Sequence, residues 1–126
     1  MVADKIAHFT VLQTLDQGGR SEVYLAEDPL TKRKVAIKMM GPRILSDAAA
    51  VRRFQKEAAL AVDLQHPVIV GVFESGTHQG RPYVVMEYVE GQTLTHLLAT
   101  RGAFKIPDVL RIGAALGDAL RYAHLR

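Results

Sequence analysis

The sequence feature that most constrains the fold is an apolar run that ends in a lysine, Val35-Ala36-Ile37-Lys38. Valine and isoleucine favour a β-strand whose side chains pack in a core. A lysine at the end of such a strand is costly to bury unless an anionic group pairs with its ammonium. The rest of the chain must therefore bring a negative charge to this strand, or leave Lys38 at the surface.

Two groups stand at suitable places along the chain to be that partner. Upstream, Gly18-Gly19 forms a turn, and residues without a Cβ let backbone N–H groups approach phosphate oxygens closely. Downstream, Glu57 falls within the apolar arc of a helical pattern, between Phe54 and Leu64. A carboxylate on the core-facing side of a helix requires a cation or several donors, and Lys38 is the candidate. The alternative is that Glu57 reaches solvent from the edge of that arc.

The order of strand and helix patterns predicts an α+β fold. Strands joined by tight turns come first, followed by a helix that Ser46 or Asp47 caps, a second hairpin and further helices. A parallel α/β fold would alternate strands and helices, so a five-stranded antiparallel sheet with one helix against it fits better. The predicted strands are 8–15, 23–26, 34–39, 68–73 and 82–88, and the predicted helices are 47–64, 94–99 and one that begins at Pro107.

The helix that begins at Pro107 is amphipathic and reaches the end of the chain without a glycine cap or a turn residue. Its apolar stripe, which needs partner helices to cover it, consists of Val109, Ile112, Leu116, Leu120 and Ala123. A helix that simply stops in this way indicates a polypeptide that was cut rather than finished.

Composition excludes several classes of protein. The chain has 126 residues, 48% of them hydrophobic and 23% charged, as expected of one soluble globular domain. The net charge of +3 is mild, and Lys32-Arg33-Lys34 reads as a solvated hairpin tip, so no nucleic-acid partner is expected. The absence of cysteine fits a reducing cytoplasm, and no apolar run is long enough to span a membrane. None of the five histidines stands at ligand spacing, so no metal site is predicted.

Taken in order, five segments of the chain resemble the protein kinase N-lobe, most closely that of bacterial eukaryotic-like serine/threonine kinases. They are Leu15 to Val23, Val35 to Lys38, Glu57, His66-Pro67-Val68-Ile69-Val70, and Val85-Met86-Glu87-Tyr88-Val89-Glu90-Gly91. The resemblance implies a kinase-like N-lobe at 1–90, with one αC-type helix and a hinge at 87–91. Residues 91–126 would then be the first two helices of an incomplete helical C-lobe.

The same resemblance implies an ATP site. Lys38 would hold the α- and β-phosphates and form a catalytic ion pair with Glu57. Compared with the family pattern G-x-G-x-x-G-x-V, Asp16 and Ser21 replace the first and third glycines. The implied nucleotide-binding residues are Leu15, Asp16, Gln17, Gly18, Gly19, Arg20, Ser21, Glu22, Val23, Ala36, Lys38, Met86, Glu87 and Val89. Among them, Leu15, Val23 and Ala36 would cover the adenine, Met86 would limit the depth of the pocket, and the backbone of Glu87 and Val89 would bind the base edge.

The chain contains neither H-R-D-x-K-x-x-N nor D-F-G, the segments that supply the catalytic base and the Mg²⁺ ligands in this family. We therefore expect the chain alone to be catalytically incomplete, with Mg²⁺ and a protein substrate bound only by the full-length domain. One alternative is a stand-alone kinase-like lobe that acts as a non-catalytic binding or regulatory module. A non-kinase nucleotide binder is a further alternative, but the chain has no G-x-x-x-x-G-K-[ST] segment.

Overall fold

A computed structural model describes residues 5–125, which divide into two compact units. The first comprises residues 5–65 and 71–88, and the second comprises residues 66–70 and 89–125. Within residues 5–125, no helix is both long enough and apolar enough to cross a bilayer.

The first unit is a six-stranded antiparallel sheet with one helix against it. The strands lie in the order β1-β2-β3-β4-β6-β5. Their bounds are β1 Lys5–Ile6, β2 Phe9–Gln17, β3 Ser21–Glu27, β4 Lys34–Met40, β5 Val72–His78 and β6 Arg81–Glu87. The helix, α1, is Ala48–Val62, and a short 3₁₀ turn at Pro42–Ile44 precedes it. The predicted α+β fold is confirmed, with β1 as an additional strand.

Strand β1 was not predicted because two residues are too few to show an alternating pattern. Ile6 lies opposite Phe9 across a tight turn in which Ala7 adopts a left-handed backbone with φ 53°. Ile6 is fully buried and Phe9 nearly so. Since both belong to the core cluster, β1 supplies part of the core as well as an edge to the sheet.

The core lies on one face of the sheet, which we call the core face and define by Tyr24, Ile37 and Val85. These three residues are cross-strand neighbours on β3, β4 and β6, and all are buried. Other core residues on the same strands occur two positions away, as the alternation of side chains requires. They are Ala26, Val35, Met39 and Tyr83.

Helix α1 begins where the sequence predicts. The Asp47 side chain accepts hydrogen bonds from the backbone N–H groups of Ala49 and Ala50, each at 3.1 Å. A cap of this kind stabilises a helix by about 1 kcal/mol. The helix packs on β5 and β6, and Ala58 is its buried residue.

The predicted strand at 68–73 is wrong, because β5 begins only at Val72. Residues 67–69 form a turn in which the Ile69 N–H donates to the His66 carbonyl at 3.1 Å. The His66 ring nitrogen Nδ1 also accepts the Val68 N–H at 3.1 Å. The apolar residues of this segment have the composition of a strand, but its backbone groups form local hydrogen bonds and are not available to a sheet.

The second hairpin turn is also shorter than predicted. Strand β5 continues to His78, and only Gln79 and Gly80 join it to β6, with φ values of 51° and 78°. Two positive φ values are the signature of a two-residue type I′ turn. Gly76 follows the predicted strand 68–73 but lies within β5, where a Cβ would approach the Tyr83 hydroxyl oxygen at 2.8 Å.

The second unit contains two helices, α2 at Leu94–Arg101 and α3 at Ile106–His124. The Thr93 hydroxyl caps α2 by accepting the His96 N–H at 3.1 Å, and Gly102, with φ 77°, ends it. The predicted apolar stripe of α3 is largely exposed, with Leu120 58% accessible. The residue of α3 that is buried is Ala119, at 7%.

Residues 66–70 are attached to α3 through a histidine. His66 Nε2 lies 2.9 Å from Asp118 Oδ2, and the His66 ring centre is 5.3 Å from that of Tyr122. Because Nδ1 accepts the Val68 N–H, Nε2 carries the ring proton and donates to the carboxylate. His66 is therefore part of the framework of the second unit.

Candidate active site

The face of the sheet opposite the core face carries several of the predicted site residues. Val23 of β3 lies opposite Lys38 of β4, and Ala36 of β4 lies opposite Met86 of β6. Cross-strand partners and residues two apart on a strand share a face, so these four side chains lie together. We call this surface the Lys38 face and define it by these four residues. Ala36 is buried, Val23 and Met86 are half-buried, and Lys38 is exposed.

A glycine turn lies at the end of the β2–β3 hairpin. Gln17 and Glu22 form the last cross-strand pair, and the Gly18 N–H donates to the Ser21 carbonyl at 3.1 Å. Leu15 is the extra residue at an irregularity in the register just before the turn, and it is 40% exposed. Gly18 and Gly19 are themselves exposed, so an anion has access to their backbone.

Gly41, directly after β4, attaches this turn to the sheet. Its N–H donates to the Arg20 carbonyl at 2.8 Å. A Cβ on Gly41 would lie 2.8 Å from the Gly19 carbonyl oxygen and 3.2 Å from the Arg20 carbonyl carbon, closer than side chains come to backbone. This contact of Gly41 with residues 19 and 20 was not predicted, because it has no local signal in the sequence.

Lys38 lines a cavity of 240 Å³ together with charged residues of the turn and of α1. Arg53 and Glu57 are four residues apart on α1 and therefore share a side of the helix. The lining contains three cations and one carboxylate, an excess of positive charge that suits a phosphate group. The full lining is Arg20, Ser21, Lys38, Met40, Ile44, Ala50, Arg53, Phe54 and Glu57.

Lys38 and Glu57 share this cavity without forming an ion pair. None of the ion pairs found within residues 5–125 joins them, and both side chains are exposed. The expectation that Glu57 faces the core is wrong; its carboxylate reaches solvent from the edge of the helix, which was the alternative. The Lys38–Glu57 ion pair itself stays a prediction for another arrangement of the same residues.

Asp16 lies on the Lys38 side of the sheet. It is the cross-strand partner of Val23, which in turn faces Lys38, so the three side chains point to the same side. No ion pair between Asp16 and Arg20 occurs among the described residues. An exposed carboxylate at this place repels a polyanion bound at the turn.

Glu22, which the resemblance placed among the nucleotide-binding residues, directs its side chain to the core face. Its Oε1 atom lies 3.1 Å from Nη2 of Arg81, and the Tyr24 hydroxyl donates to its Oε2 atom. Arg81 also donates from Nε to the Met40 carbonyl at 2.9 Å. Burial, together with the hydrogen bond to Glu22 and its charge, raises the pKa of Tyr24 to about 12. Sequence reasoning missed this cluster because residues 22 and 81 are far apart in the chain.

The predicted hinge residues belong to both units. Glu87 ends β6; its N–H donates to the Gly71 carbonyl at 2.8 Å, and its Oε1 accepts the Gly71 N–H at 3.2 Å. A backbone contact of Glu87 with a base edge would therefore fall to its carbonyl oxygen. Val89 belongs to the second unit and is 61% exposed. Among residues 5–125, no group of three or more acidic or histidine side chains is placed to hold a metal ion.

Comparison with known proteins relates this geometry to a family. The profile of the protein kinase domain matches residues 9–126. The serine/threonine-protein kinase PrkC of Bacillus subtilis is 37% identical over 116 residues, which are 92% of this chain and 18% of that protein. PknF of Mycobacterium tuberculosis is 37% identical over 122 residues, which are 95% of this chain and 26% of that protein.

A solved structure supports the same relationship. The PknI kinase domain of Mycobacterium tuberculosis superposes with a TM-score of 0.87 at 33% sequence identity, covering all of this chain and 52% of that one. The chain thus spans about half of a solved kinase domain and between 18% and 26% of the two curated relatives. With its sheet, its turn and its strand lysine in the family's order, the chain belongs to the protein kinase domain family, of which it is a partial domain.

Proposed function

We propose that this chain is the ATP-binding portion of a serine/threonine protein kinase, whose complete domain transfers a phosphoryl group from ATP to protein serine or threonine. The observation that carries the proposal is the Lys38 face, which leads from an apolar surface at Ala36 and Met86 to a cation-lined cavity at Lys38. An apolar surface suits a purine, and the cations suit its phosphates. The curated relatives are longer than this chain, and we expect their protein substrates to bind segments that this chain does not include.

In this account the base lies on the Lys38 face. Leu15, Val23 and Ala36 form the apolar cover, and Met86 limits the depth that the base can reach. The Glu87 carbonyl binds the base edge, and the contact of the Val89 backbone, which belongs to the second unit, stays a prediction from the resemblance. These contacts are apolar or use backbone groups, so they depend on the register of the strands more than on side-chain chemistry.

The phosphates lie at the turn and at Lys38. Backbone groups of Gly18 and Gly19 approach the phosphate oxygens, since no Cβ stands between them. Lys38 holds the α- and β-phosphates, and its ammonium forms the predicted pair with Glu57 when the lobe is in its active arrangement. Mg²⁺, when bound by the complete domain, neutralises charge on the transferring phosphoryl group. The sequence contains neither H-R-D-x-K-x-x-N nor D-F-G, and on that ground the proposal assigns nucleotide binding without transfer to this chain.

The protein substrate is expected to bind the part of the kinase domain beyond this chain. We also propose a cytoplasmic location, which fits the absence of cysteine and the need for ATP.

A second candidate function is a stand-alone kinase-like lobe that binds or regulates without catalysis. The position of Asp16 on the same side of the sheet as Lys38 favours it, because a carboxylate there weakens binding of a triphosphate. The two candidates differ in one measurable property, the affinity of the chain for ATP.

The test is a calorimetric titration of ATP into the wild-type chain, Lys38→Met and a matched control, Lys34→Met. Lys34 is exposed, lies on the same strand and loses the same charge, but it stands four residues from Lys38. We expect Lys38→Met to weaken ATP binding about tenfold or more, since hydrogen bonds to charged groups contribute roughly 1.5–3 kcal/mol. Lys34→Met should bind as wild type does. Equal ATP affinities of the two variants would show that Lys38 does not take part in ATP binding. No binding by the wild-type chain would favour the regulatory lobe.

A further inference from the structure

On the core face, directly behind the glycine turn, Arg81 binds both strands that lead to the turn. Its Nη2 atom is 3.1 Å from Glu22 Oε1 on β3, and its Nε donates to the Met40 carbonyl on β4 at 2.9 Å. Arg81 itself begins β6. One guanidinium thus connects three strands at the end of the sheet where the turn lies.

Both contacts of Arg81 are within two residues of the backbone of the turn. Glu22 stands two positions after Arg20. Met40 is followed by Gly41, whose N–H holds the Arg20 carbonyl at 2.8 Å. A displacement of Met40 therefore displaces Gly41, and with it the carbonyls of Gly19 and Arg20 that pack against Gly41.

The chemistry of the cluster favours a fixed geometry. The side chain of Glu22 is 12% exposed and that of Arg81 is 22% exposed, so the pair is poorly solvated. The Tyr24 hydroxyl donates to the second oxygen of Glu22, so both carboxylate oxygens have a donor or a cation. The Arg81 guanidinium donates a hydrogen bond to the Met40 carbonyl and lies beside Glu22 as an ion pair in which Nη2 donates no hydrogen bond. The compact ammonium of a lysine cannot occupy both places with the same geometry.

We propose that Arg81 is a positioning residue for the phosphate-binding turn. By holding Glu22 and the Met40 carbonyl from the core face, it sets where Gly18, Gly19 and Arg20 stand relative to Lys38. The proposal rests on the proposed function, because it assigns to this turn the binding of nucleotide phosphates. It differs from a purely stabilising ion pair in one respect: it predicts a loss that is specific to ligands with phosphates.

The test compares ATP with adenosine, which has the base and sugar but no phosphate. Both are titrated into the full chain as wild type, Arg81→Met, Arg81→Lys and the control Arg33→Met. Arg33 belongs to the same unit but lies over the Phe73 ring, 4.1 Å from its centre, away from the turn. Because Arg81→Met leaves a buried carboxylate unpaired and can unfold the sheet, Glu22→Gln with Arg81→Met is included as a second variant.

We expect the folded Arg81 variants to lose about tenfold or more in ATP affinity, with adenosine affinity changed less than twofold. Arg81→Lys should recover only part of the loss, and Arg33→Met should match wild type. Equal losses for ATP and adenosine would make the cluster merely structural and overturn the proposal, as would unchanged ATP affinity. Failure of wild type to bind either ligand would instead overturn the proposed function.

A second measurement tests the positioning without any ligand. Amide hydrogen exchange reports the opening of single hydrogen bonds, here those of the Gly18 and Gly41 N–H groups. We expect the double variant to accelerate exchange at these two amides at least tenfold, while the amide of Ile37 in the middle of β4 changes little. Uniform acceleration at all three amides, or no change at Gly18 and Gly41, would overturn the positioning role.

Discussion

The two faces of the sheet differ in whether the charged side chains nearest the glycine turn have partners. On the core face, the carboxylate of Glu22 is partnered by Arg81 and by the Tyr24 hydroxyl. On the Lys38 face, Lys38 and Asp16 are exposed, and neither belongs to an ion pair among the described residues. The charge of Glu22 is partnered and can supply rigidity, whereas the charges of Lys38 and Asp16 remain available to a charged ligand. The comparison predicts that substitutions in the middle of the core face change stability, that those at Lys38 change binding, and that Arg81, which lies behind the turn, affects binding through the position of the turn.

The largest expected difference is between two neighbours on β4. Ile37→Ala removes a fully buried side chain from the core face and should lower the free energy of unfolding by about 2–5 kcal/mol. Lys38→Ala should change it by less than about 0.5 kcal/mol, because Lys38 is exposed and belongs to no ion pair within residues 5–125. Urea denaturation of both variants measures the two values. Similar losses at the two positions would show that the faces are not divided in this way.

Gly41→Ala should disturb the attachment of the glycine turn to the sheet and lower the free energy of unfolding. A Cβ there meets the Gly19 carbonyl oxygen at 2.8 Å, so the turn must move, at a cost of roughly 1–3 kcal/mol. The matched control is Gly113→Ala within α3, where nothing lies within 4 Å of the added Cβ. That substitution should stabilise the chain by about 0.5–1 kcal/mol, since alanine favours a helix. Thermal melting of both variants would contradict the account if Gly41→Ala proved neutral.

Tyr24 gives the core face a dependence on high pH. Its pKa is raised from 10.0 to about 12, so the folded state keeps the phenolic proton that the unfolded state releases. The stabilisation is fully present below pH 10 and is lost as the pH rises from 10 to about 12. In urea titrations at several pH values, the free energy of unfolding of Tyr24→Phe should fall less steeply with pH across this interval than that of wild type. Identical slopes would indicate that the Tyr24 hydroxyl keeps its ordinary pKa; a smaller slope will remain from Tyr83, whose pKa burial also raises.

The smallest expected effect is at Asp16. Asp16→Asn removes one negative charge from the side of the sheet that carries Lys38, and it should raise ATP affinity about two- to fivefold at low salt. At a separation of about 10 Å in water, each pair of unit charges contributes roughly 0.4 kcal/mol. Glu27→Gln, at the far end of β3, is the control and should leave affinity unchanged. Added salt should reduce the gain in ATP affinity, and a gain that does not depend on salt concentration would argue against a Coulombic cause.

Much of this arrangement could be predicted from local sequence. The strand that carries Lys38, the cap at Asp47 and the glycine turn each have a signature within a few residues, and all three are present. The features that were missed depend on contacts between distant residues. Arg81 with Glu22, Gly41 with Gly19, and Ile6 with Phe9 in a two-residue strand have no periodic pattern to detect. The predicted strand at 68–73 failed because His66 binds the Val68 N–H, a local bond that hydrophobicity does not reveal.

The measurement that tests the central claim most directly is the detection of nuclear Overhauser effects between the adenine protons of ATP and the methyl groups of the sheet. Methyl groups of neighbouring residues on one strand point to opposite faces, so they distinguish the two surfaces at a single position. The account predicts contacts from adenine to Val23, Ala36 and Met86, and none to Ala26, Ile37 or Val85. Contacts to the second set, with none to the first, would contradict the assignment of the Lys38 face as the nucleotide site.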